Sequence, residues 1–175
     1  MTCEEFAELI EKEGREIYTF CCYLTRETDE ADELYQETML KAMGHLKRME
    51  VSNNPKNFLI GIAIRNWKNK RRKNRYRQSI ASLDQEEFGI ELAGTEPSPE
   101  ETYLSKELCR FIRTEVASLN EKYRIPIYLY YSVEMSVEEI AAILHIPKGT
   151  VKSRLYTARK TIAEKLEEYG YEMQK

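Results

Sequence analysis

The sequence predicts an all-α protein: two small helical domains joined by a flexible acidic linker, the second containing a helix-turn-helix. Three observations predict it. Apolar residues recur at helical spacing along most of the 175 residues. Seven Gly and five Pro are too few for the frequent turns of an all-β chain. Between about 78 and 102 the periodicity stops. Asp84, Glu86, Glu87, Glu91, Glu96, Glu100 and Glu101 occur there with no basic residue among them, and the run 94–99 is rich in turn formers. The expected organisation is a domain over 1–78, a linker over 79–102 and a domain over 103–175.

The first helix is expected from about 3 to 25. Thr2 with Glu5 makes a capping box, and Phe6, Leu9, Ile10, Ile17, Phe20, Cys21 and Leu24 form an apolar stripe. After a polar break at 25–28, a second helix is expected from about 29 to 46. Asp29, Glu30, Asp32 and Glu33 complement its N-terminal dipole. Ala31, Leu34, Tyr35, Thr38, Met39 and Ala42 face inward, and Asp32, Glu33, Gln36 and Glu37 face out. Residues 49–54 read as a loop. Asn54 then caps a third helix with Pro55 at its first position. That helix begins apolar (Phe58, Leu59, Ile60, Ile62, Ala63, Ile64) and turns basic over 65–77, a stretch without an acidic residue. Charge so dense repels itself along a helix unless an anion compensates, and phosphate is the usual partner. Trp67, Tyr76 and the arginine planes suit stacking on unpaired bases.

Beyond the linker, one helix is expected from about 101 to 119 and another from 119 onward, with Asn120 as its cap and Pro126 in its early turns. Residues 131–136 lead into the most informative stretch. Ser136 and Glu139 form a second capping box, and Ile140, Ala141, Ile143 and Leu144 make one stripe. The run 145–149 breaks the helix, with Pro147 suited to the first turn of the next. The following helix runs from about 148 past 162. Val151, Leu155, Ala158 and Ile162 fall inward; Lys148, Lys152, Arg154, Arg159 and Lys160 lie elsewhere, and no acidic residue interrupts before Glu164. A short helix, a tight break and a basic second helix form the helix-turn-helix pattern, whose second helix enters the major groove of DNA. The plainer alternatives are an amphipathic hairpin with a solvated basic face and, for residues 32–37, a solvated acidic face.

The net charge of −3 is compatible with DNA binding because the charge is segregated. Acid is concentrated at 27–37 and 84–101, base at 65–77 and 148–160, and the local field decides where phosphate binds. No apolar run approaches the ~18 residues of a membrane span. The acidic start, Met1 to Glu5, lacks the basic and apolar regions of a signal peptide. A cytoplasmic protein without membrane insertion is expected. Cys3, Cys21, Cys22 and Cys109 form no Cys-x-x-Cys pair and stand at no metal-ligand spacing from His45 or His145, so buried thiols in a reducing compartment are expected, with no metal and no cofactor. No phosphate-binding glycine loop, paired-acid metal site or nucleophile–base spacing points to an enzyme.

The order of acidic helix, loop, apolar-then-basic helix, acidic linker and helix-turn-helix resembles the extracytoplasmic-function (ECF) group of bacterial RNA polymerase sigma factors. The likeness spans about 17 to 166. It rests on the stretch 29–43, with its Leu34-Tyr35-Gln36-Glu37-Thr38 run, and on 140–155, with Ile146-Pro147, Gly149-Thr150-Val151-Lys152-Ser153-Arg154-Leu155. Phe58 stands where the family usually has Trp, and Ile64 where a polar residue is common. The resemblance implies a promoter-specificity subunit that binds core RNA polymerase through Asp32, Glu33, Leu34, Gln36 and Glu37. It implies reading and melting of the proximal (−10) promoter element by Met49, Val51, Ser52, Asn53, Arg65, Asn66, Lys68, Asn69 and Arg72. It implies reading of the distal (−35) element by Lys152, Ser153, Tyr156 and Arg159, with Lys148, Thr150 and Arg154 on phosphate. Backbone N–H groups of Gly149 and Thr150 would add a phosphate contact. Partners so implied are core RNA polymerase, promoter DNA and an anti-sigma factor, often membrane-anchored. The acidic linker would lie in a basic channel of the polymerase. A stand-alone helix-turn-helix regulator is the alternative. It has no need of the Glu33, Gln36 and Glu37 face. A single-strand-binding accessory protein would not explain the basic charge at 148–160.

Overall fold

Why the first half folds follows from three apolar stripes that cannot be buried separately. The computed structural model describes residues 1–52, 54–78 and 103–170; Asn53 and the expected linker, 79–102, lie outside them. Among the described residues the fold is all-α, with eight helices: α1 Cys3–Thr25, α2 Thr28–Met43, α3 Leu46–Glu50, α4 Pro55–Gln78, α5 Tyr103–Ser118, α6 Glu121–Tyr131, α7 Val137–Leu144 and α8 Lys148–Glu168. The chain divides into two compact units, Met1–Ala93 and Gly94–Lys175.

In the first unit α1, α2 and α4 pack against one another, with α3 against α2 and α4. Ile17, Phe20, Cys21 and Leu24 of α1 meet Ala31, Leu34 and Ala42 of α2 and Leu59, Ile60, Ala63, Ile64 and Trp67 of α4 in the core. The first capping box forms: Glu5 N–H donates to Thr2 Oγ1 at 3.1 Å and Thr2 N–H to Glu5 Oε2 at 2.8 Å. Gly14 lets α1 approach α2, since a Cβ there would stand 2.9 Å from the Tyr35 hydroxyl. The second helix ends at Met43 rather than near 46, and the short helix α3 takes in residues 49 and 50 of the expected loop. Burial of Met49 explains the difference, because an apolar side chain with its backbone coiled costs less than one in an open loop. Asn54 caps α4 by accepting from Asn57 N–H at 3.1 Å.

In the second unit α8 is the hub on which α5, α6 and α7 pack. Asn120 caps α6, accepting from Lys122 N–H at 3.2 Å. The buried Arg124 donates from Nη1 to the Ala117 carbonyl at 3.4 Å, tying α6 to α5. Lys165 of α8 pairs with Glu115 and donates to Ser118 Oγ at 3.2 Å. The connection between α6 and α7 contributes Val133 and Met135 to the core, and Met135 N–H donates to the Leu129 carbonyl at 2.9 Å.

The break between α7 and α8 falls within the expected run, 145–149, and α8 starts at Lys148 as expected. His145 takes the left-handed conformation, at φ 56°, and its N–H caps the Ala141 carbonyl. Pro147 is the N-cap and Gly149 the second residue of α8. The left-handed turn at His145 also brings the Ile146 N–H onto the Ala141 carbonyl at 3.1 Å, and His tolerates this region better than most side chains.

Candidate nucleic-acid and partner interfaces

The α2 stripe Ala31, Leu34, Thr38 and Ala42 is buried, so the helix can turn only one other side to a partner. Asp32, Glu33 and Gln36 are exposed there and Glu37 is half-buried. Leu34 is not part of this surface: at 2% exposure it is core, because the residue lies on the stripe that meets α1 and α4. Sequence reasoning missed two apolar residues. Leu40 is 71% exposed and Met43 52%. Both fall off the buried stripe, which was the available signal, and with Gln36 they follow i, i+4, i+7 spacing. The outward face is therefore acidic at its start and apolar at its end.

The acidic groups are already engaged. Asp32 accepts from the Tyr18 hydroxyl at 2.7 Å, and this bond, then burial, raises the Tyr18 pKa. Glu37 accepts from Lys41 Nζ at 2.6 Å, and the same ammonium donates to Asn66 Oδ1 at 2.6 Å. Glu33 accepts from Lys70 Nζ at 2.6 Å. The 65–77 run contains no acid, but Lys70 meets acid across the helix pair.

On α4 the core residues Leu59, Ile60, Ala63, Ile64 and Trp67 fix the helix rotation. Arg65, Lys68, Asn69 and Arg72 then fall at i, i+3, i+4 and i+7 and are all exposed on one face. Asn66 is not on it. It is 3% exposed, held inward by Lys41, and its Nδ2 finds no hydrogen-bond partner. Trp67 is buried with the Arg71 guanidinium carbon 5.1 Å from its ring centroid, so it is a packing group rather than a platform for bases. Of the expected loop, Met49 is fully buried and anchors α3, Val51 is 83% exposed, and Ser52 Oγ donates to the Met49 carbonyl at 2.6 Å. Asn53 lies outside the described residues, as does the Tyr76 side chain.

On α8, burial of Val151, Leu155 and Ala158 turns Lys152, Ser153, Tyr156 and Arg159 to solvent together. Lys148 is exposed; Thr150 and Arg154 are half-buried. Arg159 Nε donates to the Leu155 carbonyl at 3.3 Å and Ser153 Oγ to the Thr150 carbonyl at 3.0 Å, which limits both side chains. The helix start is open, with nothing within 4 Å of a Cβ built on Gly149. The Thr150 N–H, however, donates to the Pro147 carbonyl at 2.9 Å, so it is not the phosphate donor the sequence suggested. Glu138 of α7 stands beside this face, 2.9 Å from Lys148 Nζ. The Lys148 hydrogen bond, foremost, holds the Glu138 carboxyl below the usual range, and Lys152 adds to it.

Among the described residues no three His, Cys, Asp or Glu side chains are grouped to hold a metal, and no helix is long and apolar enough to cross a membrane. The thiols do not all go inside: Cys21 is buried and Cys22 half-buried, but Cys3 and Cys109 are exposed. Burial pushes the Cys21 thiol up to about 12, with Cys22 adding to the effect.

Two family profiles match the two units: Sigma-70 region 2 over residues 9–77 and Sigma-70, region 4 over residues 112–162. The ECF RNA polymerase sigma factor SigW of Bacillus subtilis (strain 168) is 28% identical over 170 residues, spanning 93% of this chain and 89% of the relative. The ECF RNA polymerase sigma-E factor of Salmonella typhimurium (strain LT2) is 32% identical over 139 residues, spanning 77% and 73%. In fold, the chain is similar to the sigma factor RpoE of Bartonella quintana, solved in complex with the anti-sigma factor NepR, at a TM-score of 0.75 and 24% identity over 94% of this chain and 98% of that one. CnrH, solved in complex with the cytosolic domain of CnrY, is similar at a TM-score of 0.62 and 19% identity over 95% and 90%. The fold and its charged helix faces thus define a Sigma-70-type initiation factor. The chain belongs to the ECF family of RNA polymerase sigma factors, non-enzymatic proteins that direct the polymerase to promoters.

Proposed function

We propose that this chain docks on core RNA polymerase through the outward face of α2, with Asp32, Glu33, Gln36 and Glu37 supplying charge and Leu40 and Met43 supplying apolar anchors. Charged groups steer and orient such an encounter, while desolvated apolar side chains supply most of the affinity. The proximal element is read and melted by Val51, Ser52 and Asn53 with the Arg65, Lys68, Asn69 and Arg72 face of α4. The basic groups there bind phosphate without regard to sequence, and bases captured unstacked supply specificity. The distal element is read in the major groove by Lys152, Ser153, Tyr156 and Arg159, with Lys148, Thr150 and Arg154 on the backbone. The division of labour places the protein in the cytoplasm, with polymerase and DNA.

The observation that carries this proposal is the rotation of α8. Burial of Val151, Leu155 and Ala158 leaves Lys152, Ser153, Tyr156 and Arg159 exposed on one side. The test is transcription from the protein's own upstream promoter with purified core polymerase. Wild type initiates specifically; Lys152→Ala/Arg159→Ala loses about 2–6 kcal/mol of distal binding and fails; Gln36→Ala/Leu40→Ala fails through loss of core binding. Salt-sensitive duplex binding without initiation would instead identify a stand-alone regulator.

The solved complexes of similar fold, one with an anti-sigma factor, support a further partner of that kind for this chain. A pull-down from unstressed cells is expected to recover such a protein; recovery of polymerase alone would remove it.

A further inference from the structure

Lys70 sits on the basic helix α4 but is turned to the acidic helix α2. Its Nζ donates to Glu33 Oε2 at 2.6 Å and lies 3.8 Å from Glu30 Oε1. Lys41 of α2 makes the reciprocal tie to Asn66 of α4. Polar groups therefore tie α2, which carries the candidate docking face, to α4, which carries the candidate DNA face. Burial works against the Lys70 charge, but the Glu33 hydrogen bond and the charges of Glu30, Glu33 and Glu27 outweigh it and keep the pKa above the ordinary lysine value. Lys70 is thus an ammonium without a phosphate partner while Glu33 holds it.

We propose that Lys70 is a shared group that couples the two faces: in the free chain Glu30 and Glu33 hold it, and a basic partner seated on Glu33 releases it to nucleic-acid phosphate. An arginine taking the Glu33 carboxylate bidentately competes with Lys70 for its negative charge and lone pairs, which weakens that hold and shifts Lys70 toward the longer approach to Glu30. The freed side chain joins Lys68, Asn69 and Arg72 on the same helix. By linkage, phosphate that takes Lys70 also frees Glu33, so each face binds better when the other is occupied. The trigger rests on the polymerase-docking proposal for α2; the pairing itself does not.

The test uses the full chain and a labelled mixed-sequence single-stranded oligonucleotide, without polymerase. Glu30→Gln/Glu33→Gln is expected to steepen the slope of log affinity against log salt by about 0.7, one phosphate contact on a single strand, and to tighten binding about fivefold at ~0.1 M salt. In a Lys70→Gln background the same pair of changes leaves the slope unaltered. An unchanged slope with Lys70 present, or an equal gain in both backgrounds, would overturn the proposal, the latter because it reports only a lost negative charge. A parallel titration with core polymerase separates the two ideas. Wild type that fails to bind core sinks the docking proposal. Wild type that binds core while the oligonucleotide slopes stay equal sinks the coupling alone.

Discussion

Asn66 and Asn69 are three residues apart on one helix and have opposite environments. Asn66 is inside, accepting from Lys41; Asn69 is in solvent. Asn66→Ala removes a buried side chain and its bond to Lys41, whose ammonium keeps Glu37, and is expected to cost about 1–2 kcal/mol, a fall in melting temperature of about 5–15 °C for a unit of this size. Asn69→Ala is expected to stay within ~0.5 kcal/mol while weakening oligonucleotide binding. Thermal unfolding by circular dichroism distinguishes them, and equal shifts would refute the placement. Cys21 makes a pH prediction. Its folded pKa, about 12, lies above the ordinary 9.0. Below pH ~9 both states are protonated and the buried thiol contributes fully. As pH rises toward 12 the unfolded thiol ionises and the folded one does not, so stability falls, by about 2 kcal/mol at pH ~10.5. Urea unfolding between pH 8 and 10.5 should show this slope in wild type and its loss in Cys21→Ala, while a thiol reagent labels Cys3 and Cys109 in the native protein first.

At the scale of elements, the helix-turn-helix bends at one left-handed residue, and an exposed ion pair, Glu138–Lys148, lies beside its second helix. His145→Gly relieves the strain at φ 56° and should stabilise the second unit by about 0.5 kcal/mol; His145→Val, branched at Cβ, should destabilise it by about 1–2 kcal/mol. A melting temperature lowered by Gly would show that the His side chain itself matters. Glu138 pairs with Lys148 and puts a negative charge beside Lys152. Glu138→Gln is expected to tighten duplex binding severalfold and to steepen the salt slope by up to about 0.9, one contact on a double strand. A slope unchanged under anisotropy titration would mean that Lys148 does not reach the backbone.

At the scale of the whole molecule, each unit has its own core and its own charged face, so each should unfold as a separate cooperative transition in calorimetry. Supplying 1–78 and 103–175 as separate chains should abolish promoter-directed initiation at concentrations where the intact chain supports it. A covalent tether gives the second unit a local concentration in the millimolar range, which free pieces do not reach. Initiation by the mixture at equal potency would show that the connection is dispensable.

The sequence by itself determined the helical class, the capping boxes at Thr2 and Ser136, the stripes of α1, α2 and α8, and the placing of Lys148, Lys152, Arg154, Arg159 and Lys160 off the inward stripe of α8. These depend on spacing within a single helix, which the chain states directly. Tertiary structure alone decided which residues near a stripe's edge are covered and which charges find each other across helices. Met49 and Asn66 went inside because neighbouring helices cover them, whereas Leu34 was already on the inward stripe. Leu40 and Met43 stayed outside because none does. Lys70 met Glu33 because α4 packs on α2 over a separation of 37 residues. Local periodicity carries no term for such an encounter; it arises only when apolar burial brings the two helices together.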